Sequence, residues 1–121
     1  MIRFAILAAV LPVALVAAPG PLLPAEALGA FQVEPGARVE LAAAEPLVSD
    51  PVALCFGDAG QMFVVEGRSY PQLGESPLTL GTLALLEDAD GDGRFEKRTT
   101  FADGFTFPNG ILPWGGGVFL T

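Results

Sequence analysis

The sequence predicts an all-β chain assembled from four-stranded units, and three observations point there. Short apolar runs, several alternating with polar residues, recur between clusters of glycine, proline and aspartate. That is the pattern of strands and tight turns. After the N-terminal segment no stretch combines helix caps with a helical period, and the alanine run at 42–44 is too short to hold a helix. The chain also resembles itself: "DPVALCFGDAGQMFVV" (50–65) matches "FPNGILPWGGGVFLT" (107–121).

The first element is a targeting segment. Met1-Ile2-Arg3 carries one positive charge, the apolar run "FAILAAVLPVALVAA" (4–18) follows, and Ala25-Glu26-Ala27 ends the segment with small residues around one position. This is the layout of a secretory signal peptide over 1–27. A membrane anchor is the alternative reading; a span needs about 20 apolar residues, and this run is interrupted by Pro12. Cleavage is expected after Ala27, with Ala17 or Ala18 as the other sites. The protein is then exported, to the periplasm or cell surface, with membrane association if the segment stays uncut.

Residues 28–36 read as an extended segment ending in a Pro-Gly turn, and 38–44 as a strand, because Val39 and Leu41 alternate with Arg38 and Glu40. Four more strands follow at 52–56, 61–66, 82–87 and 95–101. "GDAG" (57–60) joins the first two, a Pro- and Gly-bearing loop the next two, and "DADGDG" (88–93) the last two. Pro51 and Pro108 stand 57 residues apart, Phe63 and Phe119 56 residues apart. One period therefore holds four strands, which is how a β-propeller blade looks in sequence. Residues 28–121 are expected to be the first blade and the start of a second. The strand at 38–44 is expected to close the ring against a last blade, and the remaining blades are expected to be needed for folding, since one blade buries too little alone.

The totals exclude some functions. The chain has 121 residues, a net charge of −8 and no histidine. Nucleic acid is excluded as a partner because phosphate binding needs a basic footprint. Every histidine-based mechanism is excluded within these residues. The lone cysteine, Cys55, has no basic neighbours in sequence and reads as a small buried hydrophobe.

The stretch "LEDADGDGRFEKRT" (86–99) carries the most chemistry. Calcium takes six to eight oxygen ligands, and loops that supply them place carboxylates at alternate positions with glycine where the chain turns. Asp88, Asp90 and Asp92 fill the first, third and fifth positions, Gly93 the sixth, the Arg94 carbonyl the seventh and Glu96 the ninth. The twelfth, a bidentate glutamate in an EF-hand, is Thr99. The loop therefore reads as the turn of a β-hairpin, either holding calcium or as a bare solvated turn, since Asp and Gly are also ordinary turn residues. Loops alternate between the two ends of such a sheet. The acidic loop shares its end with "GDAG", and the other end carries Glu66, Arg68, Tyr70 and Asn109. Those four form the candidate functional face.

The segments 31–71 and 83–121, most specifically "VVEGRSYP", "LEDADGDGR" and "FADGFTFPNG", resemble the start of the membrane-bound dehydrogenase domain of planctomycete-type bacteria. That family is similar to six-bladed glucose/sorbosone dehydrogenases. The resemblance implies a quinone-dependent oxidation of a sugar or polyol, with pyrroloquinoline quinone and calcium as cofactors and, in many members, a c-type haem domain. It implies no catalytic residue here, because the base and the basic cofactor contacts of those enzymes come from later blades. The other reading is a non-catalytic, calcium-stabilised propeller that binds carbohydrate or protein at the cell surface.

Overall fold

The computed structural model describes residues 20–68 and 80–121. The apolar run at 4–18 and Tyr70 lie outside them. The first element is a single helical turn, α1 (Pro24–Leu28), opened by Pro24 and closed locally by the Leu23 N–H donating to Glu26 Oε2 at 3.0 Å. Among the described residues no helix is long and apolar enough to cross a membrane.

Among the described residues everything else regular is strand. β1 (Pro51–Phe56), β2 (Met62–Glu66), β3 (Gly81–Glu87) and β4 (Lys97–Phe105) form one antiparallel sheet in chain order. β5 (Ile111–Trp114) and β6 (Gly117–Leu120) form a separate hairpin. The fold is all-β, and the first three strands fall within a residue of their expected positions. The fourth starts later and runs further than 95–101. Two bulges keep it paired. Phe101 is the extra residue between the Ala84–Thr100 and Leu83–Ala102 pairs, and Gly104, at φ +79°, is the extra one between Thr82–Asp103 and Gly81–Phe105. A glycine in the left-handed region absorbs such a bulge without steric cost.

The sheet is covered on both faces, which is why β2 is buried along its whole length and β3 nearly so, while β1 alternates between exposed and half-buried positions. Met62, Val64, Ala84 and Leu86 point to one side and form a cluster with Val48 and Phe95, with Ala43 and Leu47 packed against it. Residues 42–49 thus cross this face as a strap. Phe63, Val65 and Leu83 point to the other side, where Ile111, Val118 and Leu120 of the β5–β6 hairpin cover them. The strap corrects the expected strand at 38–44: residues 37–44 join no ladder. Of residues 38–44 only Ala43 packs on the sheet, and no described strand runs beside the segment to pair with it. The strap's backbone is tied down where the Phe95 N–H donates to the Ala42 carbonyl at 2.8 Å and where its own Ser49 N–H donates to Glu66 Oε1 at 3.0 Å.

The two hairpins repeat one another in register. Phe63 pairs with Cys55 and Val64 with Leu54, while Phe119 pairs with Leu112 and Leu120 with Ile111. The change from a 57- to a 56-residue spacing is the loss of one residue in the second turn, 114–117 against 57–61. Faces correspond as well. Ile111, Val118 and Leu120 stand where Leu54, Met62 and Val64 stand in the first copy, on the strap side, yet they pack on the opposite face of the first sheet. The two copies therefore stack head to tail.

Candidate functional site

The acidic loop, 88–96, joins β3 to β4. Two glycines make its sharp turns, Gly91 at φ +80° and Gly93 at φ +90°. Their N–H groups both donate to Asp88, Gly91 to Oδ1 at 2.7 Å and Gly93 to Oδ2 at 2.9 Å. Asp90 and Asp92 each close a local turn. Asp90 Oδ1 accepts from the Asp92 N–H at 3.2 Å, and Asp92 Oδ1 from the Arg94 N–H at 2.8 Å. Glu96 reaches back, its Oε2 accepting from the Ala89 N–H at 3.2 Å. Aspartate is suited to this because its short side chain mimics a backbone turn.

These bonds draw the carboxylates together. Asp88, Asp90, Asp92 and Glu96 each place an oxygen within 4.8 Å of the others'. Asp88 is half-buried and the other three are exposed. The Gly93 N–H holds the Asp88 carboxyl below the usual aspartate range; slight desolvation opposes this, and the N–H groups of Gly91, Asp92 and Asp90 add to it. A carboxylate oxygen that accepts one N–H keeps a second lone pair, so the cluster retains hard oxygen donors of the kind calcium takes. Arg94 lies in the loop with its N–H committed to Asp92. The loop is tied down at its C-terminal side. Phe95 is buried in the strap cluster and lies 6.5 Å from Phe56, ring to ring, and Lys97 pairs with Glu87 at 2.6 Å across the first rung of the hairpin.

The acidic loop and the 57–61 turn share one end of the sheet, as expected. A cavity of about 510 Å³ lies between them, lined by Ala59, Gln61, Leu85, Asp88 and Gly91 among others. The opposite end gathers two of the four residues assigned to the functional face. Arg68 is exposed there, and Asn109 lines a crevice of about 340 Å³ with Val52, Gly67, Phe107 and Pro108. Asn109 is engaged with Thr121: its N–H donates to the Thr121 carbonyl at 2.7 Å and its Oδ1 accepts the Thr121 hydroxyl at 3.2 Å.

Glu66 is elsewhere. It is 1% exposed and points under the strap. Its Oε1 accepts the Ser49 N–H at 3.0 Å, and its Oε2 takes the Thr82 hydroxyl and Arg98 Nη2, the latter at 2.9 Å. Burial pushes the carboxyl up, but the Thr82 hydroxyl, the Ser49 N–H and the Arg98 guanidinium together outweigh it and hold the group below the usual glutamate range. Sequence reasoning missed Ser49, Thr82 and Arg98 as its partners. The signal was an acid at the end of a wholly apolar strand, which demands a cation, but sequence does not say which. Cys55 is half-buried on β1, and burial pushes its thiol up, which keeps it unreactive.

No curated protein and no solved structure matches this chain. A family model does, over residues 23–121, a span that takes in the strap, both sheets and the acidic loop. The chain belongs to the family described as Domain of unknown function (DUF7133).

Proposed function

We propose that this chain is an exported, calcium-stabilised sector of a β-propeller, in which the metal stiffens the β3–β4 hairpin and takes no part in chemistry. The observation that carries the reading is the convergence of Asp88, Asp90, Asp92 and Glu96 on one point. Four carboxylates held that close repel one another, and a divalent cation relieves the repulsion. The Arg94 carbonyl and water would complete the shell. The propeller part rests on the four-stranded meander followed by a hairpin of the same register stacked head to tail on it. Export rests on the layout of residues 1–27.

Calorimetry tests the metal. Wild-type chain titrated with calcium is expected to give a saturable heat that Asp90→Ala loses; equal heats from both would overturn the site. Asp90 suits the test because its side chain is exposed and makes one local contact.

The resemblance to quinone-dependent sugar dehydrogenases supports a further role for the assembled propeller, as an oxidoreductase acting on a sugar or polyol. The quinone would accept the hydride. In that reading Arg68 and Asn109 lie at the end that would face substrate, whereas Glu66 serves the sheet. The histidine base that the resemblance implies would come from outside these residues, which contain no histidine. Dye reduction by the full-length parent protein with pyrroloquinoline quinone, calcium and a panel of aldoses checks it; no reduction by folded, metal-loaded protein would end the enzyme reading.

A further inference from the structure

Phe107 holds a backbone that its side chain does not suit. Among the described residues two that are not glycine take left-handed backbone, Asp50 at φ +46° and Phe107 at φ +50°. Each stands just before one of the prolines that mark the repeat, Pro51 and Pro108, so the two are one position in two copies. Aspartate tolerates this conformation because its short polar side chain can bond locally, whereas a bulky aromatic one is strained in it. Phe107 belongs to neither apolar cluster of the sheets and is 42% exposed. A position that bears backbone strain and keeps a large aromatic ring at the surface is not serving the fold; such breaches of local preference gather where ligands are held.

Phe107 lines the crevice of about 340 Å³ together with Val52, Gly67, Pro108 and Asn109. One wall is the end of the first sheet and the other the connection to the second hairpin, so both belong to this chain. The lining is mostly apolar, and polar groups stand beside it. Asn109 Oδ1 accepts the Thr121 hydroxyl, which leaves the amide N–H groups to donate. The exposed Arg68 directly follows Gly67. We infer that Phe107 is a stacking platform for a pyranose ring. A pyranose turns a face of C–H bonds toward the negative face of an aromatic ring, and its hydroxyls reach outward to nearby donors. An acyclic polyol has no such flat face. This inference rests on the reading that this end of the sheets faces substrate, and it narrows the substrate there from sugar or polyol to the closed ring of a sugar.

Calorimetric titration of the full-length parent protein with methyl β-glucopyranoside tests it, with sorbitol as the acyclic comparison. Wild type is expected to bind the pyranoside, and more tightly than sorbitol. Phe107→Gly removes the ring and suits the left-handed backbone, so it should weaken pyranoside binding about tenfold without lowering the melting temperature. Phe107→Tyr keeps the platform and should bind like wild type. Asp50→Gly makes the same backbone change in the first copy and should leave binding as it is. A wild type indifferent to the pyranoside, equal binding by Phe107→Gly, or a Phe107→Gly melting temperature several degrees below wild type would each overturn the inference. Equal binding would do so while sparing the reading of a sugar-binding propeller. No oxidation is read, so a dehydrogenase reading that fails in the dye assay leaves a positive binding result standing.

Discussion

Glu66 shows how one side chain can join parts of the chain that sequence keeps far apart. It sits 32 residues from Arg98 and 17 from Ser49, and binds both under the strap. Removing a buried partner leaves the rest unsatisfied, which costs more than the net value of the bond. Glu66→Ala strands a guanidinium, a hydroxyl and an N–H, and is expected to cost about 2–3 kcal/mol, read as a lower urea midpoint. Glu66→Gln should cost less because its amide oxygen still accepts. The pH dependence has a fixed sign. Because the folded carboxyl titrates below its unfolded value of about 4.3, its contribution is complete above that value and disappears as pH falls through the lower folded one. Wild type and Glu66→Gln should therefore differ most near neutrality and converge in acid. At this scale the sequence is least informative. The turn made by the three aspartates of the acidic loop was legible because their hydrogen-bond partners lie within a few residues. The role of Glu66 was not, because side-chain direction depends on a register that only the folded sheet sets.

The strands themselves were the most legible elements. Apolar runs bounded by Gly, Pro and Asp define β1, β2 and β3, since turn residues mark where a chain reverses whatever the tertiary context. The end of β4 was hidden, because a glycine inside a strand reads as a stop when it is in fact a bulge. The strap was misread for the related reason that alternation reports one-sided burial but not what backbone partner exists. Gly81 shows how closely elements meet where β3 and β4 approach the second hairpin. A Cβ there would lie 2.6 Å from Pro108 Cδ and 2.7 Å from the Phe105 carbonyl oxygen. Neither neighbour is the free end of a flexible side chain. Gly81→Ala is therefore expected to cost about 1–3 kcal/mol by overpacking. It should also speed amide exchange in β5 and β6 more than in β2, which separates loosening of the junction from general destabilisation.

For the molecule as a whole, the repeat noticed in sequence was the best guide, and its register equivalence could be checked only in three dimensions. The metal reading also has its consequence at this scale. Anything that binds the folded state alone stabilises it by mass action. Calcium at a hundredfold excess over its dissociation constant should add about 2.7 kcal/mol, a rise of several degrees in melting temperature that a chelator reverses and Asp90→Ala abolishes. A melting temperature indifferent to calcium would separate the loop's shape from any role in holding a metal. The shortened turn of the second copy bears on what the scaffold tolerates. The turn at 114–117 is one residue shorter than its counterpart, yet the strands flanking both keep identical pairing, and Gly115 and Gly116 both take left-handed backbone in open space. Length at this rim is thus decoupled from the ladder behind it, and an epitope or reporter peptide grafted between those two glycines has a mounting point that the cores on either side would not feel.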